Sequence, residues 1–184
     1  MKNLSLIAVC VILMTACQQG DEIVSPSGAP RIDQRSNQAR PFHATLSGSL
    51  NFNSPPTACT GDAPFALLDY HVAGSATHMG QLNATSFLHH DDCNLSISQF
   101  LLTTGVSGEL VAANGDKVYY SGDDAIDVFN YLTGEGLNGP ITGDWTITGG
   151  TGRFTDASGT LEMSGVVDFV TLGFTATATG TITY

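Results

Sequence analysis

Two stretches, one near each end of this 184-residue chain, alternate apolar and polar residues with period two. Phe42, Ala44, Leu46, Gly48, Leu50 and Phe52 share one parity, and His43, Thr45, Ser47, Ser49 and Asn51 the other. At the far end Phe174, Ala176, Ala178, Gly180, Ile182 and Tyr184 alternate with threonines from Thr175 to Thr183. Successive side chains of a strand face opposite sides, so each pattern predicts a half-buried strand. Further strand-like runs fall at 66–78, 81–89, 95–103, 106–113, 117–122, 125–132, 141–148 and 159–171. Turn punctuation separates several of them, at Asn114-Gly115-Asp116, Asn138-Gly139-Pro140 and Gly149-Gly150-Thr151-Gly152. No segment shows a 3.6-residue period. A sheet of that many strands has two edges to protect, and closing into an antiparallel barrel removes them, with a two-sheet sandwich as the competing solution. Glycines on the inward parity (Gly48, Gly74, Gly165, Gly180) favour the strongly curved, closed form.

The first residues carry an address. Lys2 precedes an apolar run from Leu4 to Met14, too short to span a bilayer, and Met14-Thr15-Ala16-Cys17 matches a bacterial lipobox. Residues 1–16 are therefore read as a lipoprotein signal peptide, with Cys17 as the lipidation site. Residues 17–41, rich in Ser, Pro, Gly and Arg without apolar period, are read as a flexible tether, and 42–184 as the β-barrel domain. Gln18 stands where an aspartate would signal inner-membrane retention. The expected localisation is the outer membrane of a Gram-negative bacterium, and the acidic pair Asp21-Glu22 resembles signals for surface exposure.

Charge narrows the partners. Six Lys and Arg against 17 Asp and Glu give a net charge of −11, which argues against nucleic acid, since phosphate contacts need clustered bases. Cys10 leaves with the signal peptide and Cys17 takes lipid, leaving Cys59 and Cys93. In an oxidising compartment they are expected to form a disulfide, worth roughly 3–4 kcal/mol for a loop of about 35 residues.

Residues 141–159, ITGDWTITGGTGRFTDASG, carry a resemblance. They are similar to the Ile-x-Gly-Gly-Thr-Gly-Arg-Phe-x-x-Ala-x-Gly signature of proteins with the allene oxide cyclase and dirigent barrel, especially its bacterial secreted members. Thr77-His78-Met79-Gly80, Ala112-Ala113-Asn114-Gly115-Asp116 before Val118-Tyr119-Tyr120, and the closing Ala178-Thr179-Gly180-Thr181-Ile182 resemble the same group in order and spacing. The resemblance implies an eight-stranded antiparallel barrel with an apolar interior. Gly149, Gly150, Thr151, Gly152, Arg153 and Phe154 read as a structural turn, with positive φ at the glycines, Arg153 paired to an acid or to carbonyls, and Phe154 dropped onto the barrel end.

Candidate chemistry is sparse. His89-His90-Asp91-Asp92-Cys93 holds ligand-type side chains, for which His43 or His71 are the remote partners a metal would need, but it reads as a polar hairpin tip. Asp116, Asp123, Asp124 and Asp127 lack EF-hand spacing, and no Gly-x-Ser-x-Gly elbow is present. No catalytic residue, metal or cofactor is assigned. Trp145, Phe52, Phe65, Phe87, Tyr70, Tyr119 and Phe169 are candidates to line a barrel interior. The expected function is a membrane-anchored, non-catalytic barrel that binds a small apolar ligand or serves as an interaction module. A cyclase or isomerase acting on a hydrophobic substrate is the alternative; it needs convergent polar groups near Tyr119, His71 or His78. A cavity above about 300 Å³ separates ligand-based readings from a filled barrel.

Overall fold

The computed structural model describes residues 38–62 and 65–184. The residues read as signal peptide, Cys17 and most of those read as tether lie outside the described residues. Eight long strands account for most of the rest, β1 Arg40–Leu50, β2 Tyr70–Ala76, β3 Phe87–Ser96, β4 Leu101–Val111, β5 Lys117–Asp127, β6 Asn138–Gly150, β7 Ser158–Asp168 and β8 Gly173–Thr183. Each pairs antiparallel with its chain neighbour, and β8 returns to β1 with Ala178 opposite Ala44, so the strands form a closed ring. The two stretches singled out by their alternation are thus hydrogen-bonded to each other. Their apolar parity faces inward: Phe42, Ala44, Leu46, Phe174, Ala176, Ala178 and Ile182 are all buried. The inward Gly48 meets the Phe174 ring where a Cβ would lie 2.0 Å from it, so the glycine is what lets that ring fill the interior.

One junction of the ring is weak. β2 and β3 share only the pairs Tyr70–Leu88 and His71–Phe87. Beyond them the β1–β2 connection takes the place of a strand, with Thr60–Gly61 running parallel to Asn94–Leu95. The Cys59–Cys93 disulfide ties that connection to β3.

Several boundaries differ from the sequence reading. Runs 117–122 and 125–132 are one strand, β5, followed by a helix, α1 Phe129–Thr133, that ends at Gly134 with φ 78°. At five residues the helix is too short to impose a visible period. The run 95–103 straddles the β3–β4 turn, and most of 81–89 is a connection. Asn138-Gly139-Pro140 is no turn but the start of β6. There Pro140 pairs with Val166 of β7 at a level where pairing with β5 has not begun, an edge-like position that tolerates proline.

The ring has two unlike ends. Chain entry at Arg40, the C-terminal Tyr184 and the turns 77–86, 112–116 and 151–157 define the entry end. The 51–69, 97–100, 128–137 and 169–172 connections define the other, here termed the crown. The signature turn closes the entry end. Gly149 and Gly152 have φ of 144° and 59°, whereas Gly150 does not; its Cβ would lie 2.1 Å from the Lys117 carbonyl, so close approach is what requires it. Thr151 Oγ1 accepts the Lys117 N–H at 3.0 Å. Arg153 donates to the His78 carbonyl and lies 3.8 Å from Asp116. Phe154 is fully buried, edge-on to Tyr184 at 4.8 Å. Gly152→Val forces a β-branched residue to positive φ and into the Asp116 carboxylate, so denaturant melts should show a loss of at least about 1 kcal/mol.

Candidate functional site

Inward parity on β5 runs Val118, Tyr120, Gly122, Asp124, Ile126 and so places a carboxylate in the core. Asp124 is 3 % exposed. Its Oδ1 accepts a hydrogen bond from Trp145 Nε1 at 2.8 Å, and the indole stacks on Tyr120 with centroids 4.5 Å apart. On its β6 side stands Gly143, where a Cβ would lie 1.9 Å from Asp124 Oδ1; the carboxylate occupies the space a side chain would take. On its β4 side stands Thr104, whose buried Oγ1 has no hydrogen-bond partner. Burial, reinforced by neighbouring Asp123 and opposed by the Trp145 hydrogen bond, pushes the Asp124 carboxyl up to about 7. Burial likewise raises the Tyr120 and Tyr70 hydroxyls.

Toward the crown the interior is apolar. Phe65 and Leu67 from the disulfide-tied connection, with Phe169 and Leu172 from the β7–β8 turn, cover a cavity of about 40 Å³ that Tyr70, His90, Asp124 and Trp145 also line. That is space for roughly two or three waters, an order of magnitude below an organic-ligand pocket. Of the aromatic residues expected inside, Trp145, Tyr70, Phe65 and Phe169 are there. Phe52 is 80 % exposed, and Phe87 and Tyr119 lie on the outward parity of their strands.

His89-His90-Asp91-Asp92-Cys93 is no hairpin tip. It is the middle of β3, with a bulge between His90 and Asp92 that puts Asp91 and Asp92 both outside. His90 is buried 5.7 Å from the Tyr70 ring centroid, its Nδ1 3.1 Å from the Leu68 carbonyl, and burial holds its imidazole below the usual range. His89 faces out, with Nδ1 2.8 Å from the Asp69 carboxylate, which also accepts the His90 N–H. Burial pushes Asp69 up, but the hydrogen bonds from His89, Ser54 and His90 outweigh it and hold the carboxyl below its ordinary value. This network pins the end of the β1–β2 connection to β3. Among the described residues no three His, Cys, Asp or Glu side chains are placed to hold a metal.

An open groove of about 1050 Å³ crosses the outer face of β3 to β7. Asp123, Asp144 and Glu162 sit directly opposite one another across three strands along it. The groups on which the enzyme alternative depends do not converge. His71 and Tyr119 point outward on different strands, and His78 lies in the entry-end turn with Nε2 3.0 Å from the Pro41 carbonyl.

Among the described residues ten large apolar side chains stand exposed, and all but Phe87 belong to the crown or the strand ends leading into it. Ile97 comes from the β3–β4 turn, Phe129, Tyr131, Leu132 and Leu137 from the α1 connection, Val170 and Leu172 from the β7–β8 turn. Phe129 packs edge-on to Phe100 at 4.8 Å and Tyr131 lies 4.8 Å from Phe169, so the three loops touch ring to ring.

These features define a closed all-β ring with a filled interior and an apolar end. No family model and no curated protein matches the chain. Among solved structures it is similar to a pterocarpan synthase dirigent protein, with 12% sequence identity, 87% of this chain and 99% of that chain covered, and a TM-score of 0.44.

Proposed function

We propose that this chain is an exported, lipid-anchored interaction module built on a β-barrel of the allene oxide cyclase/dirigent type. The signature block at 147–159 and the eight-strand ring support the barrel type. The lipobox supports residues 1–16 as signal peptide, Cys17 as the acylated residue, 17–41 as tether and the outer membrane as location. The observation that carries the functional reading is the division of the surface. The chain enters at one end of the ring, and the exposed apolar side chains gather at the other. An interaction module of this build carries its apolar crown at the end opposite chain entry. A cavity of about 40 Å³ favours this over enclosure of a small apolar ligand, and the dispersal of His71, His78 and Tyr119 counts against the cyclase alternative. Intact-mass spectrometry of the membrane fraction should find the chain starting at Cys17 with added acyl mass. Cys17→Ala should abolish that species and its membrane retention; equal retention would sink the anchor.

A further inference from the structure

The basic side chains of the described residues are Arg40, Lys117 and Arg153, and all three lie at the entry end. The crown has none. Its solvent-accessible carboxylates are Asp62, Asp127, Glu135 and Asp168, Asp69 being buried against His89, and three of those four are built into the loops that display its apolar residues. Asp62 Oδ2 accepts the Ile97 N–H at 2.9 Å, Asp127 Oδ1 the Phe129 N–H at 2.8 Å, and Asp168 Oδ1 those of Val170 and Thr171 at 2.8 and 3.0 Å. Each loop therefore sets a fixed carboxylate beside an exposed apolar side chain. The amides of Thr171 and Val170 hold the Asp168 carboxyl below its ordinary range, so its charge persists in mild acid.

From this pairing we infer that the crown is a docking surface for a cationic amphipathic segment of another protein, apolar along one side and bearing Lys or Arg around it. The inference rests on the reading of the chain as an interaction module and names the partner's chemistry. An anionic membrane does not fit, because four carboxylates without a base would face it. A second copy docked crown to crown would set the same carboxylates against themselves. A partner segment with basic residues finds both its apolar side and its charges answered.

The test uses the full chain immobilised through its C-terminus at the entry end, in one non-ionic detergent buffer throughout. The probes are a soluble leucine–lysine amphipathic peptide and its leucine–glutamate counterpart. Leu137 and Val170, 56 % and 64 % exposed, can be changed with little effect on folding. The leucine–lysine peptide should bind the wild type at least tenfold tighter than the Leu137→Lys/Val170→Lys variant, more weakly as salt rises, and at least tenfold tighter than the leucine–glutamate peptide. Equal binding to wild type and variant, or no preference for the basic peptide, overturns the inference. So does a crown-dependent dimer in sedimentation, or wild-type binding to phosphatidylglycerol vesicles that the variant lacks. None of these readouts depends on acylation, so failure of the anchor at Cys17 is seen separately by mass spectrometry.

Discussion

In urea unfolding, the stability of the wild-type chain relative to an Asp124→Asn variant is expected to fall from about pH 4 to about pH 8, a comparison in which the opposite contribution of buried His90 cancels. Burial places the folded Asp124 carboxyl at about 7, while the unfolded chain gives up the same proton near 3.8, the ordinary value of an aspartate. Between those values the folded state holds a proton the unfolded state has released, so each rise in pH favours unfolding. The penalty is complete once both forms are ionised. A shift of about three units corresponds to on the order of 4 kcal/mol. Asparagine keeps an oxygen for Trp145 Nε1 and removes the titration. Asp69 acts in the opposite sense and lower down: its depressed carboxyl contributes stability above about pH 4 that is lost as pH falls through its folded value. Parallel pH profiles for wild type and Asp124→Asn would refute the assignment.

Phe154→Ala should cost about 3–5 kcal/mol, measured by chemical denaturation at constant pH. Its ring is wholly buried at the entry end against Tyr184, and Tyr184 in turn takes a hydrogen bond at 3.0 Å from Arg40. Removing the ring leaves a cavity bounded by the signature turn and Tyr184. Phe154→Leu, which refills most of the volume, should recover more than half of the loss. A melt of Phe154→Ala indistinguishable from wild type would show that this side chain does not close the entry end.

Strands whose two faces differ in polarity were the legible ones. β1 and β8 alternate along their length, β8 with the exception of the exposed Gly180, and their inward and outward side chains follow from parity. Asp124 was not legible because β5 was divided at Asp123-Asp124; read as one strand, its parity from Val118 to Ile126 puts a carboxylate inside. The β3 bulge defeats parity altogether, since one extra residue sends Asp92 to the same side as Asp91. The crown was hidden for a different reason. Its apolar residues come from loops distant in sequence, and only closure of the ring brings Ile97, Tyr131 and Val170 to one end.

The sparse β2–β3 junction has a bearing on how the chain keeps to itself. Every other seam of the ring is a ladder of seven or more residue pairs, so if the cylinder is slit anywhere, it parts here. Slitting it turns a molecule without margins into a curled sheet with two bare flanks, each a template for the same flank of a neighbouring molecule. The Cys59–Cys93 bond stitches the connecting segment across that slit. Wherever copies of the chain crowd together, that stitch opposes an exchange of strands between them.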